Sequence, residues 1–176
     1  VTMLPGDAEN DAYEILRYLP LMDHVDIVIP FIYNKNLRTW KRRMISKFYK
    51  GIINLSFGML LNYMNGSVMY RKCVLQNITL KSGGFFYQTE LLVKSIKSGY
   101  LYAEVPCAIQ RRLSGESKAL TFKSLFKVIR GYLYTIGSIY LFDRKNRPVI
   151  PDAVTALRHR QLKEIESAFS AKQGLS

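Results

Sequence analysis

The sequence predicts an α/β fold, because short apolar runs typical of buried strands alternate with longer segments of helical periodicity. The runs Val1–Leu4 and Val25–Pro30 are separated by a helical segment, so we expect them to be parallel neighbours in one sheet. A third apolar run, Val105–Ile109, supplies another strand. With 176 residues and a hydrophobic content of 48%, the chain is long enough for one compact domain with appendages.

The first strand leads into an acidic turn, Pro5–Asp11, which precedes a helix. In open α/β sheets, a turn at the carboxyl end of a strand is where ligands bind. Asp7 and Glu9 can both offer oxygens to one Mg²⁺ or Mn²⁺ that also binds a nucleotide diphosphate. Alternatively, these acids cap the helix and interact with its positive N-terminal dipole. The predicted apolar face of that helix includes Ile15, Leu16 and Leu19.

The chain is strongly basic, and its charge is unevenly distributed. The formal net charge is +13, and no acidic residue lies between Asp26 and Glu90. The run from Lys35 to Lys50 alone holds seven Lys or Arg residues. We therefore expect an anionic partner, which is a nucleic acid, a membrane surface or a phosphorylated substrate.

A long amphipathic helix is predicted from Leu37 to about Tyr63. Its apolar positions recur at spacings of three and four residues: Trp40, Met44, Phe48, Ile52, Leu55 and Met59. Its N-terminal half is crowded with cations: Arg38, Lys41, Arg42, Arg43, Lys47 and Lys50. A helix with cations beside aromatic residues is typical of an anionic bilayer surface. A core-packed helix with a solvated face has the same pattern, but no acids balance these cations, which favours the membrane.

A second helix is predicted from Phe85 to Ser98, with a carboxylate in its first half. The spacing places Phe86, Leu91, Leu92 and Ile96 inward, and Glu90 lies on the inner side with them. A carboxylate there is either a core acid with satisfied hydrogen bonds or a site residue. The pattern does not separate the two.

The third strand passes directly into a basic loop within the segment Glu104–Lys118. The loop contains cations and hydroxyls that can converge on phosphate oxygens, and a glycine that permits close backbone approach. These residues are Arg111, Arg112, Gly115, Ser117 and Lys118. A solvated basic hairpin explains the same composition.

A second amphipathic stripe follows the basic loop, with Lys123, Lys127 and Arg130 to one side of it. Its apolar residues are Phe122, Leu125, Phe126, Ile129, Leu133 and Ile136. The uncharged run from Gly131 to Phe142 is shorter than the ~20 residues of a membrane-spanning helix. We expect one or two helices in the membrane interface, or a short re-entrant segment. A linker, Asp143–Pro151, and a charged helix from Asp152 complete the chain.

Four motifs together resemble family 2 glycosyltransferases with the GT-A fold. They are PGDAEN after a strand, the basic helix, GFFYQTELLVKSIKSGY and EVPCAIQRRLSGESK. Within that family, the chain is most similar to the dolichyl-phosphate mannose synthase group, over about Val1–Phe142 and most specifically over Gly84–Lys118. The resemblance implies that residues 1–119 are the C-terminal part of a GT-A catalytic domain whose N-terminal part precedes Val1. Residues 120–143 are then interfacial helices, and 144–176 are a linker and tail helix.

The resemblance also assigns roles to individual residues. Asp7 and Glu9 match the acidic turn that holds a divalent metal, Mg²⁺ or Mn²⁺, although Pro5 replaces the family's first Asp. Arg42, Ser46 and Arg112 match the acceptor-phosphate site. Further departures are Glu9, which stands where the family usually has Gln, and Ile32, which stands where an Arg is used. The turn at residues 62–66 is also altered.

The function implied is transfer of a sugar from a nucleotide-sugar donor to a membrane polyprenyl phosphate, dolichyl or undecaprenyl, at the cytoplasmic face. Arg112 and Glu90 are the candidate catalytic residues, and Ser117 and Lys118 complete the acceptor-phosphate site. The expected partners are the donor, the lipid phosphate and an anionic membrane surface, with no nucleic acid. Two alternatives stay open: a saccharide or lipid hydroxyl acceptor with Glu90 as base, and a non-catalytic basic module that binds membranes or nucleic acid.

Overall fold

The computed structural model describes residues 1–4, 11–34, 40–64, 66–109, 122–142 and 152–173. Over these residues, the protein is a mixed α/β structure with a three-stranded sheet and six α-helices, which confirms the predicted α/β class. The strands are β1 (Ile27–Ile32), β2 (Met69–Tyr70) and β3 (Tyr102–Cys107). The helices are α1 (Ala12–Leu16), α2 (Trp40–Phe57), α3 (Lys72–Asn77), α4 (Tyr87–Lys97), α5 (Phe122–Gly137) and α6 (Val154–Gln173).

The central strand of the sheet is β1, and its two neighbours run in opposite directions. β3 lies parallel to β1, with Ile27 opposite Tyr102 and Ile32 opposite Cys107. β2 lies antiparallel on the other side. β1 is buried on both faces, which explains why its sequence is apolar without alternation. The strand predicted at Val25–Pro30 is thus confirmed, with its observed boundaries closer to the C terminus.

The expectation that Val1–Leu4 forms a buried strand beside β1 is wrong. Thr2 makes an isolated antiparallel bridge to Met69, and the amine of Val1 donates a hydrogen bond to the carbonyl of Tyr70 at 2.7 Å. Both edges of β1 are already paired, so this segment pairs with the outer edge of β2. There the side chains of Val1 and Met3 are largely exposed.

The bridge at Thr2 fixes the direction of the N-terminal segment. Val1–Leu4 is antiparallel to β2, and β2 is antiparallel to β1, so the segment runs in the same direction as β1 and β3. Leu4, Ile32 and Cys107 therefore lie at one edge of the sheet, which we name the carboxyl edge. Open α/β sheets bind ligands outside this edge.

Helices cover both faces of the sheet. Ile27 and Ile29 face the larger core, which α2, α3, α4 and α5 complete. Val28 lies in a smaller core with Ile15 of α1. Alternate residues of β1 therefore serve different cores, as the pleat of a strand requires.

The predicted helices at Ile15 and Glu90 are both present. The prediction of which residues face inward is correct for the second helix and mostly wrong for the first. Of the three apolar residues predicted to face inward in the first helix, only Ile15 is buried; α1 ends at Leu16, and Leu16 and Leu19 are exposed. In α4 the prediction is confirmed, because Leu91 and Leu92 are buried. A turn of 3₁₀-helix, Gly84–Phe86, precedes α4.

The long basic helix is shorter than predicted and packs with a different face. α2 ends at Phe57, where Gly58 adopts a positive φ of 56° that suits a helix C terminus. The buried residues of α2 are Ile53 and Phe57. Most of the predicted apolar stripe is exposed instead: Trp40, Phe48, Ile52 and Leu55. The helix carries apolar residues on two faces, so periodicity alone selected the wrong one for the core.

Most of the second amphipathic stripe also faces outward, although Ile136 packs inward. α5 packs on the larger core through Val128, Tyr132 and Ile136. Its exposed residues are Leu125, Phe126, Ile129 and Leu133. Among the described residues, we find no helix with the length and apolar character needed to cross a membrane.

The charged helix predicted after Asp152 is present as α6. Its start is docked on the domain, because Val154 and Thr155 are buried, as is Ala153 just before the helix. The apolar residues that follow are exposed: Leu157, Leu162, Ile165 and Phe169. The C-terminal segment is therefore attached to the domain at its start, and the rest of the helix has large exposed side chains.

Candidate functional site: a basic cavity at the carboxyl edge

A cavity of about 230 Å³ lies where β1 ends. It is smaller than the roughly 300–1,000 Å³ pockets that hold drug-sized ligands, so its size suits a headgroup rather than a whole lipid or nucleotide. The described residues that line it are Ile32, Arg43, Ser46, Lys47, Lys50, Asn62 and Tyr63. We name this cavity, with these residues, the basic cavity.

One face of α2 supplies most of the polar groups of the basic cavity. Arg43, Ser46, Lys47 and Lys50 are spaced by three, four and seven residues, which places them on one side of the helix over two turns. The exposed apolar residues Phe48 and Leu55 project from a different side. α2 therefore separates a cationic face from an apolar face.

The cations of the basic cavity have no carboxylate partners in the described part of the chain. No Asp or Glu oxygen described in the structure lies within 4.0 Å of the charged nitrogens of Arg43, Lys47 or Lys50. Cations without an ion-pair partner among the described residues give a concavity a positive potential that attracts anions. Together with the hydroxyl of Ser46, they offer the charge-assisted hydrogen bonds that a phosphate accepts.

The segment that follows α2 supplies another part of the cavity lining. Asn54 of α2 holds this segment through both ends of its amide: its Nδ2 donates to the carbonyl of Leu61 at 2.9 Å, and its Oδ1 accepts from the Leu61 amide at 3.1 Å. Leu61 itself is buried. Asn62 and Tyr63, the wall residues, therefore directly follow an anchored position.

Only part of the predicted acceptor site can be placed. Ser46 lines the basic cavity as the resemblance implies, and Ile32 lines it at the position where the family uses an Arg. Arg42 lies half-buried on α2 and is not among the lining residues. The sequence interpretation missed the roles of Arg43, Lys47, Lys50, Asn62 and Tyr63. The helical spacing of the three cations with Ser46 was the signal that could have identified the first three.

Several predicted site residues lie outside the described residues: Asp7, Glu9, Arg112, Ser117 and Lys118. The structure does describe where the chain lies before them. Leu4 precedes the acidic turn and Ile109 precedes the basic loop, and both belong to segments that end at the carboxyl edge. The described ranges contain no cluster of three or more His, Cys, Asp or Glu side chains suited to a metal ion.

Asn34 joins the segments that leave β1 and β3 at this edge. Its Nδ2 donates to the carbonyl of Ile109 at 2.8 Å, and its Oδ1 accepts from the amide of Ile109 at 3.0 Å. The side-chain amide of Asn34 thus pairs with both the N–H and the C=O of Ile109. These contacts continue the hydrogen bonding between the two segments past the last β1–β3 pair, Ile32 and Cys107. Ile109, which precedes the basic loop in sequence, is thereby fixed relative to β1.

Glu90, the predicted catalytic carboxylate, is fully buried and held by several donors. Lys94 lies one helical turn away with its Nζ 2.7 Å from Oε1. The backbone amide of Ser82 donates to Oε2 at 2.7 Å, and the amide of Lys81 lies 3.2 Å from Oε1. Lys94 also donates to the carbonyl of Thr79 at 2.7 Å. The carboxylate therefore fixes the loop before α4.

The surroundings of Glu90 favour its ionised form. Burial alone would raise the pKa of Glu90, but the ammonium of Lys94 and the amides of Ser82 and Lys81 outweigh burial and lower the pKa below its usual value. A general base that must accept a proton near neutral pH needs a raised pKa. The environment of Glu90 has the opposite effect.

The chain matches no protein-family model, and no curated protein matches it. What the site can bind therefore follows from the geometry of the basic cavity and the chemistry of its residues. Both favour a small anionic group presented at the carboxyl edge.

Near the basic cavity, α2 and α5 present apolar side chains outward. The two helices meet at Ser56, whose Oγ lies 2.7 Å from the hydroxyl of Tyr132 and whose carbonyl accepts from the hydroxyl of Tyr140 at 2.7 Å. The ring of Phe57 stacks on Tyr140 with 6.3 Å between centroids. We give one name, the exposed apolar face, to the outward apolar side chains of the two helices without implying that they touch: Phe48, Ile52 and Leu55 of α2, with Leu125, Phe126, Ile129 and Leu133 of α5.

Proposed function

We propose that this protein is a GT-A glycosyltransferase that transfers a sugar from a nucleotide-sugar donor to a membrane polyprenyl phosphate. The single observation that carries the proposal is the basic cavity, in which Ser46 and three cations line a space of about 230 Å³ at the carboxyl edge. A phosphate monoester is the anionic group that matches this set of donors. The resemblance of the four sequence motifs to the polyprenyl-phosphate glycosyltransferases supports the same substrate class.

The exposed apolar face supports a lipid acceptor over a water-soluble one. Large exposed apolar patches on a protein surface mark interaction sites. Here the patch lies on helices that also carry cations, including Lys41, Lys127 and Arg130, which complements an anionic bilayer. We therefore propose that the protein acts at a membrane surface, with the polyprenyl chain in the bilayer and its phosphate in the basic cavity. The resemblance implies the cytoplasmic face.

The donor side of the site would use the acidic turn that follows Leu4. Asp7 and Glu9 are hard oxygen donors, the type that Mg²⁺ and Mn²⁺ prefer, so these residues fit a divalent metal on a nucleotide diphosphate. When bound, the metal neutralises the diphosphate and makes it a better leaving group. The directions of Val1–Leu4, β1 and β3 support the convergence of the donor and acceptor sides at one edge of the sheet.

The acceptor side needs positioning rather than a strong base. A lipid monophosphate is already ionised near neutral pH, so its oxygen can attack the sugar without losing a proton. Ser46, Lys47 and Lys50 would hold the phosphate, with Arg42, Arg112, Ser117 and Lys118 assigned to the same role by the resemblance. Orientation and electrostatic stabilisation would then provide most of the rate. Glu90 would act by fixing the loop at Lys81 and Ser82, since its oxygens already accept hydrogen bonds.

The direct test is transfer to lipid. The full-length protein is incubated with a panel of labelled sugar nucleotides, vesicles containing a polyprenyl phosphate, and Mg²⁺ or Mn²⁺, and the organic phase is assayed for labelled lipid. Replacing Lys47 and Lys50 together by Ala should raise the KM for polyprenyl phosphate about tenfold or more and leave the KM for the donor unchanged. The matched control replaces Arg160 and Lys163, exposed on α6, and should change neither. Arg112→Ala should lose transfer while still binding donor.

A second candidate is a non-catalytic membrane-binding module, and the exposed apolar face with its cations favours it. Both candidates predict binding to vesicles, but only the glycosyltransferase predicts transfer of a sugar. Binding to anionic vesicles without any lipid-linked product, across the full panel of donors and both metals, would therefore select the second candidate and reject the first. Retention on DNA that weakens steeply with salt would instead indicate a nucleic-acid partner.

A further inference from the structure

Asn62 in the lining of the basic cavity is held in place by a residue of β3, a strand that does not itself line the cavity. Glu104 lies in β3, where it pairs in register with Ile29 of β1. Its carboxylate accepts two hydrogen bonds from Asn62: Oε1 from the backbone amide at 2.6 Å, and Oε2 from Nδ2 of the side chain at 3.0 Å. Asn62 is one of the residues that line the basic cavity.

The two contacts determine both the backbone and the side chain of Asn62. The backbone amide bond fixes where the chain passes, and the bond from Nδ2 fixes the rotamer of the amide group. Hydrogen bonds to an ionised acceptor are about twice as strong as neutral ones, so a bidentate pair of this kind restricts Asn62 strongly. Together with the Asn54 contacts at Leu61, it anchors two consecutive residues of the wall.

Among the described residues, Glu104 forms no ion pair that would compete with these contacts. Its carboxylate is only half-buried, so its charge is not needed to satisfy the core. A simple β-strand position would accept many side chains at lower desolvation cost. Among the described residues, the carboxylate of Glu104 interacts with Asn62 through these two hydrogen bonds.

We propose that Glu104 is a positioning residue for the anion site: it holds Asn62, and with Asn62 the adjacent Tyr63, in the wall of the cavity that the cations of α2 also line. This inference rests on the proposed function for the identity of the ligand. The inference goes beyond the proposed function because it makes the affinity of the basic cavity for an anion depend on the carboxylate of Glu104. Removing a negative charge near cations would, by simple electrostatics, strengthen anion binding. The positioning role predicts the opposite sign.

The test uses the full chain and a short, water-soluble prenyl monophosphate, citronellyl phosphate, titrated by calorimetry. Glu104→Ala should weaken binding about tenfold, and Glu104→Gln, which keeps one acceptor oxygen, should lose less. Asn62→Ala should also weaken binding, and adding Glu104→Ala to it should cost less than the sum of the single changes. Glu166→Gln removes an exposed carboxylate of α6 and should leave the affinity unchanged.

The outcomes separate this inference from the proposed function. If the wild-type chain binds citronellyl phosphate and Glu104→Ala binds it equally or more tightly, Glu104 has no positioning role and only this inference is overturned. If the wild-type chain does not bind it, the acceptor assignment fails and the inference fails with it. Thermal unfolding of each variant shows the temperatures at which it is folded and can be titrated. If Glu104→Ala does not fold, Glu104→Gln and Asn62→Ala still test the proposal. Additive losses in the double variant would also reject the coupling.

Discussion

The carboxylate of Asp26 and the side chain of Thr155 form a buried contact between the start of β1 and the first turn of α6. Oδ2 of Asp26 accepts from the hydroxyl of Thr155 at 2.5 Å and from its amide at 3.1 Å, while Oδ1 accepts from the amide of Val154 at 2.8 Å. The hydroxyl of Thr155 in turn accepts from the amide of Leu101 at 2.9 Å. This network attaches the C-terminal helix at the edge of the sheet opposite the basic cavity.

Asp26→Ala should strongly destabilise the protein. The change leaves the amides of α6 without their acceptor and leaves Arg71, whose Nε lies 3.4 Å from Oδ1, without its counter-charge. We expect a loss of about 3–5 kcal/mol in the free energy of unfolding. Thr155→Val should lose about 1–3 kcal/mol, because it removes one hydroxyl and its two hydrogen bonds. Urea unfolding measures both, and Glu166→Gln on exposed α6 is the control. A loss no larger than that of the control would show that the network is not stabilising.

Glu90→Gln should give a stability difference that depends on pH. The pKa of Glu90 is lowered in the folded protein, so its stabilisation is fully present above the unfolded-state pKa of about 4.3 and is lost as the pH falls through the lower, folded-state value. The wild type should therefore exceed the variant by about 2–4 kcal/mol near neutral pH, and the gap should narrow below about pH 4. Urea unfolding from pH 3 to 7 measures it. A gap of constant size over this range would contradict the assignment.

Gly131→Ala should destabilise the contact between α5 and the segment just before α4. A Cβ at this position would come within 2.7 Å of Cδ1 of Phe86 and 2.8 Å of Oγ of Ser82. Overpacking of this kind costs about 1–3 kcal/mol, which outweighs the gain of up to about 1 kcal/mol from replacing a helical glycine. Gly51→Ala in α2 is the matched control, since no atom lies within 4 Å of its Cβ position, and it should stabilise. Thermal unfolding that ranked the two variants in the reverse order would refute this account.

The sequence predicted the elements better than their arrangement. β1 and α4 were identifiable because each is a short segment with a pure pattern, apolar throughout in β1 and helical in α4. The order of the sheet was not, because β2 is only two residues long and still occupies the edge of β1 that was assigned to Val1–Leu4. Local patterns contain no information about which of several strands reaches an edge first.

The candidate site was partly predictable for a related reason. Ser46 was reached through a motif, whereas Asn62 enters the cavity through a loop whose position depends on Asn54 and Glu104. Such contacts join residues far apart in sequence, so no spacing rule reports them. The apolar residues of α2 were recognised, but a helix that is apolar on two faces does not state which face is covered. The exposure of Phe48 in the structure shows that the face containing this residue is not covered.

The exposed apolar face should bind anionic bilayers, and the single tryptophan of the chain, Trp40, is a built-in reporter at the start of α2. Its emission should shift to shorter wavelength with vesicles of phosphatidylglycerol and phosphatidylcholine, less with phosphatidylcholine alone, and less again at high salt. Replacing Phe48 and Leu55 together by Ser should lower the partition coefficient at least tenfold, because each buries apolar area in the interface.

The matched control for this experiment replaces Ile165 and Phe169 of α6 by Ser. These side chains are 63% and 64% exposed, comparable with 66% for Phe48, but they lie on a helix with acidic residues among its cations. The control should bind vesicles as the wild type does. Equal losses in both double variants would indicate a nonspecific effect of surface hydrophobicity, and an unchanged partition of the Phe48 and Leu55 variant would remove the exposed apolar face from membrane binding. Since the basic cavity is lined by another side of α2, neither variant should alter the affinity for citronellyl phosphate in solution.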